Sequence, residues 1–242
     1  MKQVIGIISY LPSNSSRESR KERLLRLLKQ LEMYWPELPI IIVAQNWGND
    51  DFLPKNHLND ITVYNYENPL GILKARQTLR EKFLNTDYEQ IIMFDDDAII
   101  KAYADQAREF LEKCKANPKG FMFLKGHRKD PLGIYDPAQL NGCCISRWLI
   151  EAEPLKDEWD PQKNGIFEDV VYAHLFHWKY PEYEFEVSGF ACIQWSNPKY
   201  PLKSTWTITD HKCLEKTRAL LEKIKQECFD WREKNKCLTN NN

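Results

Sequence analysis

Tyr88 to Ile100 reads YEQIIMFDDDAII: four apolar residues (Ile91, Ile92, Met93, Phe94) run straight into three aspartates, after which apolar residues resume. A short unbroken apolar run predicts a strand covered on both faces, as at the centre of a parallel sheet. Asp95, Asp96 and Asp97 then fall where that strand leaves the sheet. In open α/β sheets, ligands bind in the crevice beyond the carboxyl ends of the strands. Three adjacent carboxylates repel one another, so the cluster is costly unless something positive neutralises it. A hard divalent cation that also holds a phosphate is one candidate. An acidic turn capping the next helix is another, because aspartate is a favoured N-cap. The triplet alone leaves both readings open.

The 242-residue chain is long enough for one large α/β domain, or for one domain with a helical appendage. Its 43% hydrophobic and 12% aromatic content suits a substantial core and argues against disorder. With 34 basic and 35 acidic residues the net charge is −1, so no global field draws nucleic acid. The seven cysteines (Cys114, Cys143, Cys144, Cys192, Cys213, Cys228, Cys237) are odd in number and lack paired C-x-x-C spacing. That pattern predicts reduced thiols in a cytosolic protein. The chain opens directly into a strand pattern without a signal peptide, and no apolar run approaches the roughly 20 residues that span a bilayer. The expectation is a cytoplasmic protein, at most peripheral on the inner face of a membrane.

Val4 to Pro12 predicts a buried first strand. A helix follows, capped within Ser13 to Ser16, with Leu24, Leu27, Leu28, Leu31 and Tyr34 at helical spacing until Pro36 stops it. Leu38 to Trp47 is a second buried strand, completing a βαβ unit whose first loop lacks G-x-G-x-x-G. Ile61 to Glu67 is a third strand. NPLGILKARQTLREKFL makes a helix that delivers the chain to the aspartate strand, so a doubly wound, mostly parallel sheet is expected. A helix over Ala104 to Ala116, a strand over Phe121 to Gly126 and a loop over residues 127–138 follow. Gln139 to Pro154 begins as a strand and turns helical, and Glu168 and Asp169 open another helix. Residues 184–195 read as one more strand, or a hairpin containing Gly189. Ser196 to Asp210 is a long loop holding Trp206, and Lys212 to Lys236 is an amphipathic helix with Leu221, Ile224, Cys228 and Trp231 on one stripe. Only the terminal LTNNN looks disordered.

A β-α-β opening, LGILKARQTLRE, a strand ending in DDD, NGCCISR and FEDVVYAHLF occur in that order. In this ordered combination the chain resembles the glycosyltransferases of the GT-A fold, in particular the family 2-like bacterial enzymes, over about 200 residues. The resemblance implies an α/β fold: a single Rossmann-like domain of GT-A type, its mostly parallel central sheet flanked by helices. That domain would cover residues 1–211, with a nucleotide-sugar half over about 1–100 and an acceptor half over about 101–211. A C-terminal amphipathic helix and tail would occupy 212–242. The implied activity is inverting transfer of one sugar, dependent on Mn²⁺ or Mg²⁺. The donor would be a nucleoside diphosphate sugar, UDP-linked for preference, and the acceptor a hydroxyl of a bacterial surface glycan (capsule, O-antigen or similar), free or lipid-linked.

Residue by residue, the resemblance puts Asp95 and Asp96 beside the nucleotide and Asp97, with Asp95, on the metal. His211 stands where many such enzymes place a third metal ligand, although a lone histidine also reads as structural. Ser9, Tyr10 and Arg17 fall in the segment that binds base, ribose and diphosphate. Gly71 and Arg76 match the glycine and arginine of the helix beside the donor; the arginine would pair with Asp95 or a phosphate. A solvated helix face is the plainer reading of Arg76. Glu168 and Asp169 match the acidic pair that supplies the general base, with Asp169 as the base, held ionised by the helix dipole. As an acidic cap they need no such role. Asn141 and Gly142 match a turn that lines the acceptor, and Trp195 is placed beside it. The loop Ser196 to Asp210, with Trp195 and Trp206, would close over the donor.

His174 and His177, at i and i+3, have no partner at ligand spacing and read as packed or partly exposed residues. Trp231 could lean on a membrane bearing a lipid-linked acceptor, or pack against the domain. Two rival functions remain. A sugar nucleotidyltransferase would want a glycine- and lysine-rich phosphate loop after the first strand, and SYLPSNSSRES holds no glycine. A nucleotide- or carbohydrate-binding module of the same fold would need no catalysis.

Overall fold

Seven of the eight residues of β1 (Gln3–Tyr10) are buried, because strands lie on both sides of it and helices on both faces. The computed structural model describes residues 1–11, 17–48, 53, 56–124, 139–194 and 211–239. β1 pairs in parallel with β2 (Ile40–Gln45) on one side and with β4 (Gln90–Asp95) on the other. β3 (Ile61–Tyr66) lies parallel beyond β2, while β7 (Gln139–Ser146) runs antiparallel to β4 and carries β6 (Phe121–Leu124) outside it. The six-stranded order is β3-β2-β1-β4-β7-β6, a mostly parallel sheet.

Side chains alternate across this sheet, so one strand feeds two cores. Ile5 and Ile7 pack with Leu24, Leu27 and Leu31 of α1 (Arg17–Tyr34) and Phe110 of α3 (Ala104–Ala116). Val4 and Ile8 pack with Leu79 and Phe83 of α2 (Ile72–Leu84). Gly6 lies between them; a Cβ there would meet Ile91 Cδ1 at 2.6 Å and Leu79 at 3.0 Å, so α2 seats close to the sheet only over glycine. Leu149 of the short α4 (Arg147–Ala152), Val171 and Phe176 of α6 (Glu168–Lys179) and Leu221, Ile224 and Cys228 of α7 (His211–Thr239) complete that second core. The C-terminal helix therefore shares the core of the sheet domain, and Trp231 packs edge-on against Tyr180 at 5.5 Å. No helix among the described residues is long and apolar enough to cross a membrane.

Two local expectations are corrected. Ala98 to Lys101 forms a strand, β5, which pairs antiparallel with β8 (Ala191–Gln194) in a separate two-stranded sheet. The segment read as one more strand or a hairpin thus leaves the central sheet, because the turn at Asp96–Asp97 takes the chain away from β4. Gln30 of α1 clamps β5 by bonding both the N–H and the C=O of Ile100. Asn141 and Gly142 lie inside β7 instead of in a turn. Gly142 has φ 81°, and the pairing of β6 with β7 shifts register between Met122 and Leu124, so the glycine accommodates an irregularity in the strand. Ser13 to Ser16, the loop at 127–138, Trp195 and the loop Ser196 to Asp210 lie outside the described residues, as do 240–242.

Candidate functional site

From β1 the sheet grows through β2 to β3 on one side, and β4 is added on the other, so the strand order reverses between β1 and β4. A crevice opens at such a switch point, at the carboxyl ends of the strands. Tyr10, 37% exposed, ends β1 there, and Asp95 to Asp97 end β4.

The three aspartates have three different environments. Asp96 is buried: one oxygen accepts from Ser9 Oγ at 2.8 Å and from the Tyr10 N–H at 3.1 Å, and the other from Arg20 Nη1 at 2.8 Å. Trp47 Nε1 donates to Ser9 Oγ at 3.1 Å. Ser9 and Asp96 therefore tie β1 to β4 beneath the crevice. Burial raises the Asp96 carboxyl above its ordinary range, with Arg20 pulling the other way. Asp97 is also buried, with Arg20 Nη1 at 3.6 Å and Arg23 Nη1 at 3.8 Å. The positive charge expected from a metal at Asp97 is supplied by α1 itself, and Asp97 sits against that helix. Asp95 keeps 26% of its side chain exposed and faces Arg76 Nη2 at 3.3 Å.

Arg76, 2% exposed, joins two carboxylates that the chain sets far apart. Its Nη2 bonds Asp95 and its Nη1 donates to Glu168 Oε1 at the first residue of α6. These negative neighbours, with Asp169, outweigh burial and hold the guanidinium more firmly protonated than usual. Burial pushes the Glu168 carboxyl up to about 8, against the pull of Arg76. Asp169 is half-buried and accepts the Val170 N–H at 2.9 Å, which fixes its carboxylate to the helix start.

The remaining residues singled out in the sequence take varied places. Gly71 precedes α2 with φ 83°, and its close neighbour is Gln162, whose Oε1 would lie 2.7 Å from a Cβ. Asn141 is buried; its Oδ1 accepts from the Asp95 N–H at 3.3 Å and from Cys192 Sγ at 3.4 Å, so it braces the end of β4. Arg17 and His211 begin α1 and α7, and their side chains are not described. His174 Nδ1 bonds Val170 O and His177 Nδ1 bonds Glu184, consistent with packed and surface roles. Sequence reasoning missed Arg20 and Arg23, although extending the buried stripe of Leu24, Leu27 and Leu31 back one turn passes through both.

Five carboxylates (Asp95, Asp96, Asp97, Glu168, Asp169) thus meet three guanidiniums (Arg20, Arg23, Arg76) at the carboxyl end of β4 and the start of α6. Asp95 fits a divalent cation, since Mg²⁺ commonly takes one or two carboxylates and completes its shell with phosphate oxygens and water. Asp97 is buried against Arg20 and Arg23. Among the described residues no group of three His, Cys, Asp or Glu could hold a metal by itself.

No family profile matches the sequence, and no curated protein matches it. Among solved structures the chain is similar to a protein assigned as a nucleotide-diphospho-sugar transferase from Desulfovibrio desulfuricans G20. The identity is 13% and the TM-score 0.34, over 51% of this chain and 58% of that one, so less than two thirds of that protein's length is spanned. It is also similar to HddC from Yersinia pseudotuberculosis, at 13% identity and a TM-score of 0.41, over 80% of this chain and 93% of that one.

Proposed function

We propose that the protein is an inverting glycosyltransferase that moves one sugar from a nucleoside diphosphate sugar, UDP-linked for preference, to a hydroxyl of a bacterial surface glycan. The observation that carries this reading is Arg76, which draws the half-exposed Asp95 at the switch point and the Glu168–Asp169 pair to one crevice. Asp95 would hold Mn²⁺ or Mg²⁺ together with the donor's phosphate oxygens, and the bound cation would offset the charge that grows on the leaving diphosphate. Tyr10, exposed at the end of β1, would stack on the base. Asp169, at the positive end of α6, would take the proton from the acceptor hydroxyl. The acceptor oxygen then bonds to the anomeric carbon as the bond from that carbon to the diphosphate breaks, and the leaving group departs with the electron pair.

A screen of nucleotide sugars for release of free nucleoside diphosphate, with Mn²⁺ or with EDTA, tests the proposal. Cation-dependent release is expected. Pyrophosphate formation from a sugar phosphate and a nucleoside triphosphate would identify a nucleotidyltransferase instead, and donor binding without turnover a binding module. Asp169→Asn should bind donor and lose turnover; full activity in that variant rejects Asp169 as the base.

A further inference from the structure

The turn that presents the acidic pair is held from outside the sheet. α5 (Pro161–Asn164) ends at Gly165 in the left-handed conformation, with φ 66° and ψ 39°. A Cβ on Gly165 would lie 2.8 Å from Cys213 Sγ, so the first turn of α7 presses directly on this corner. Lys216 Nζ donates to Asn164 O at 3.1 Å. Two residues after the corner, the N–H of Phe167 donates to Thr217 Oγ1 at 3.1 Å, and Thr217 is 1% exposed. Phe167 is the N-cap of α6 and offers no side-chain cap of its own. A threonine inside a helix commonly turns its hydroxyl back to a carbonyl of its own helix. Here its oxygen receives the cap residue of a different helix, immediately before Glu168 and Asp169.

We propose that Thr217 is a positioning residue for the acidic pair. By holding the Phe167 N–H it sets the height and rotation of the first turn of α6, and so where Glu168 meets Arg76 and where Asp169 stands at the crevice. The C-terminal helix then acts on the active site through Thr217, a residue that meets the backbone of Phe167 and not the reacting atoms. The kinetic consequence rests on the sugar-transfer reading of Asp169; the positional one does not.

The test compares Thr217→Val, which keeps the shape and removes the acceptor, with Thr217→Ser, which keeps it, in the full chain. Misplacing a catalytic group by about 1 Å costs up to about a hundredfold in rate. Thr217→Val should therefore lower kcat about tenfold or more, leave the donor KM within about twofold, and speed amide hydrogen exchange at Phe167 to Val171. Thr217→Ser should restore all three. Unchanged kcat per folded molecule in Thr217→Val, whatever its Tm, reduces Thr217 to a structural contact and overturns the proposal, as does failure of serine to rescue. Should Thr217→Val not fold, Thr217→Ala removes the acceptor without adding bulk and reads the same way. If the wild type turns over no nucleotide sugar, the sugar-transfer reading fails alone. The exchange data still decide: unchanged protection at Phe167 without the hydroxyl sinks the positioning role.

Discussion

Arg76→Met isolates the electrostatics of the crevice. The arginine is 2% exposed and serves Asp95 and Glu168, and Glu168 is 3% exposed. Removing one partner of a buried pair costs about 3–5 kcal/mol when the other is left charged. Glu168 can escape part of that cost by taking a proton, and this gives the prediction its shape. In the wild type burial pushes its carboxyl up to about 8 when folded, well above the ordinary glutamate range of the unfolded chain. The folded state thus binds the extra proton between these values, and stability falls as pH rises through that window, by up to about 1.4 kcal/mol per pH unit. Arg76 is the main influence lowering the Glu168 value, so the variant should hold its proton to higher pH. Below pH 8 both proteins carry a neutral Glu168 and the stability gap between them is constant. Above pH 8 the wild type has shed its proton and levels off while the variant keeps falling, so the gap widens by about 1.4 kcal/mol per pH unit. Urea denaturation followed by tryptophan fluorescence at intervals from pH 5 to 9.5 measures it. In Arg76→Met/Glu168→Gln, compared with Glu168→Gln, the widening should vanish. A gap that stays flat to pH 9.5, or that widens equally in the glutamine background, refutes the assignment to Glu168.

Arg20→Met should destabilise by about 2–4 kcal/mol at pH 7, and by less at pH 5. Burial already raises the Asp96 carboxyl, so without Arg20 it takes a proton more readily and stability is lost as pH rises; an equal loss at both pH values in denaturation curves would contradict this. Gly165→Ala should cost about 1–2 kcal/mol from its left-handed backbone, plus the clash with Cys213 Sγ. Adding Cys213→Ala should recover only the second part, and additive Tm losses in the double variant would show that the contact is not made.

The central strands were legible because burial on both faces writes itself as unbroken apolar runs, as in Ile40 to Ala44 and Ile91 to Phe94. β8 was legible as a strand but its partner β5 was not, since a four-residue strand carries little periodicity and the two meet only through pairing between Ala98–Lys101 and Ala191–Gln194. Asn141-Gly142 has the composition of a tight turn, yet β6 and β4 on either side of β7 hold it in a strand, with the positive φ of Gly142 taken up by the irregular register. At the crevice, the aspartates and the acidic pair stood out as charge clusters. Of their cations, Arg76 was read as a partner of Asp95, but its pairing with Glu168, 92 positions away, was not, and Arg20 and Arg23 lay unnoticed in RESRKERLLR.

Where the cations come from decides what each carboxylate can do. Arg20 and Arg23 withdraw Asp96 and Asp97 from the crevice and, with Ser9 and the Tyr10 N–H, convert them into a clamp between α1 and the β1–β4 seam. The triplet caps no helix, since it runs on into β5 and Tyr103 caps α3, and Asp95 is the member of the three left partly exposed. Asp95 has Arg76 on one side and exposed surface on the other. Two charges of the five-to-three balance remain unmatched, and burial raises the Asp96 and Glu168 carboxyls above their ordinary range. A bare diphosphate would add two more negative charges to that excess, whereas a divalent cation bound with it at Asp95 would cancel the charge it brings. Donor affinity should therefore depend on the divalent cation even where turnover is abolished, as in Asp169→Asn.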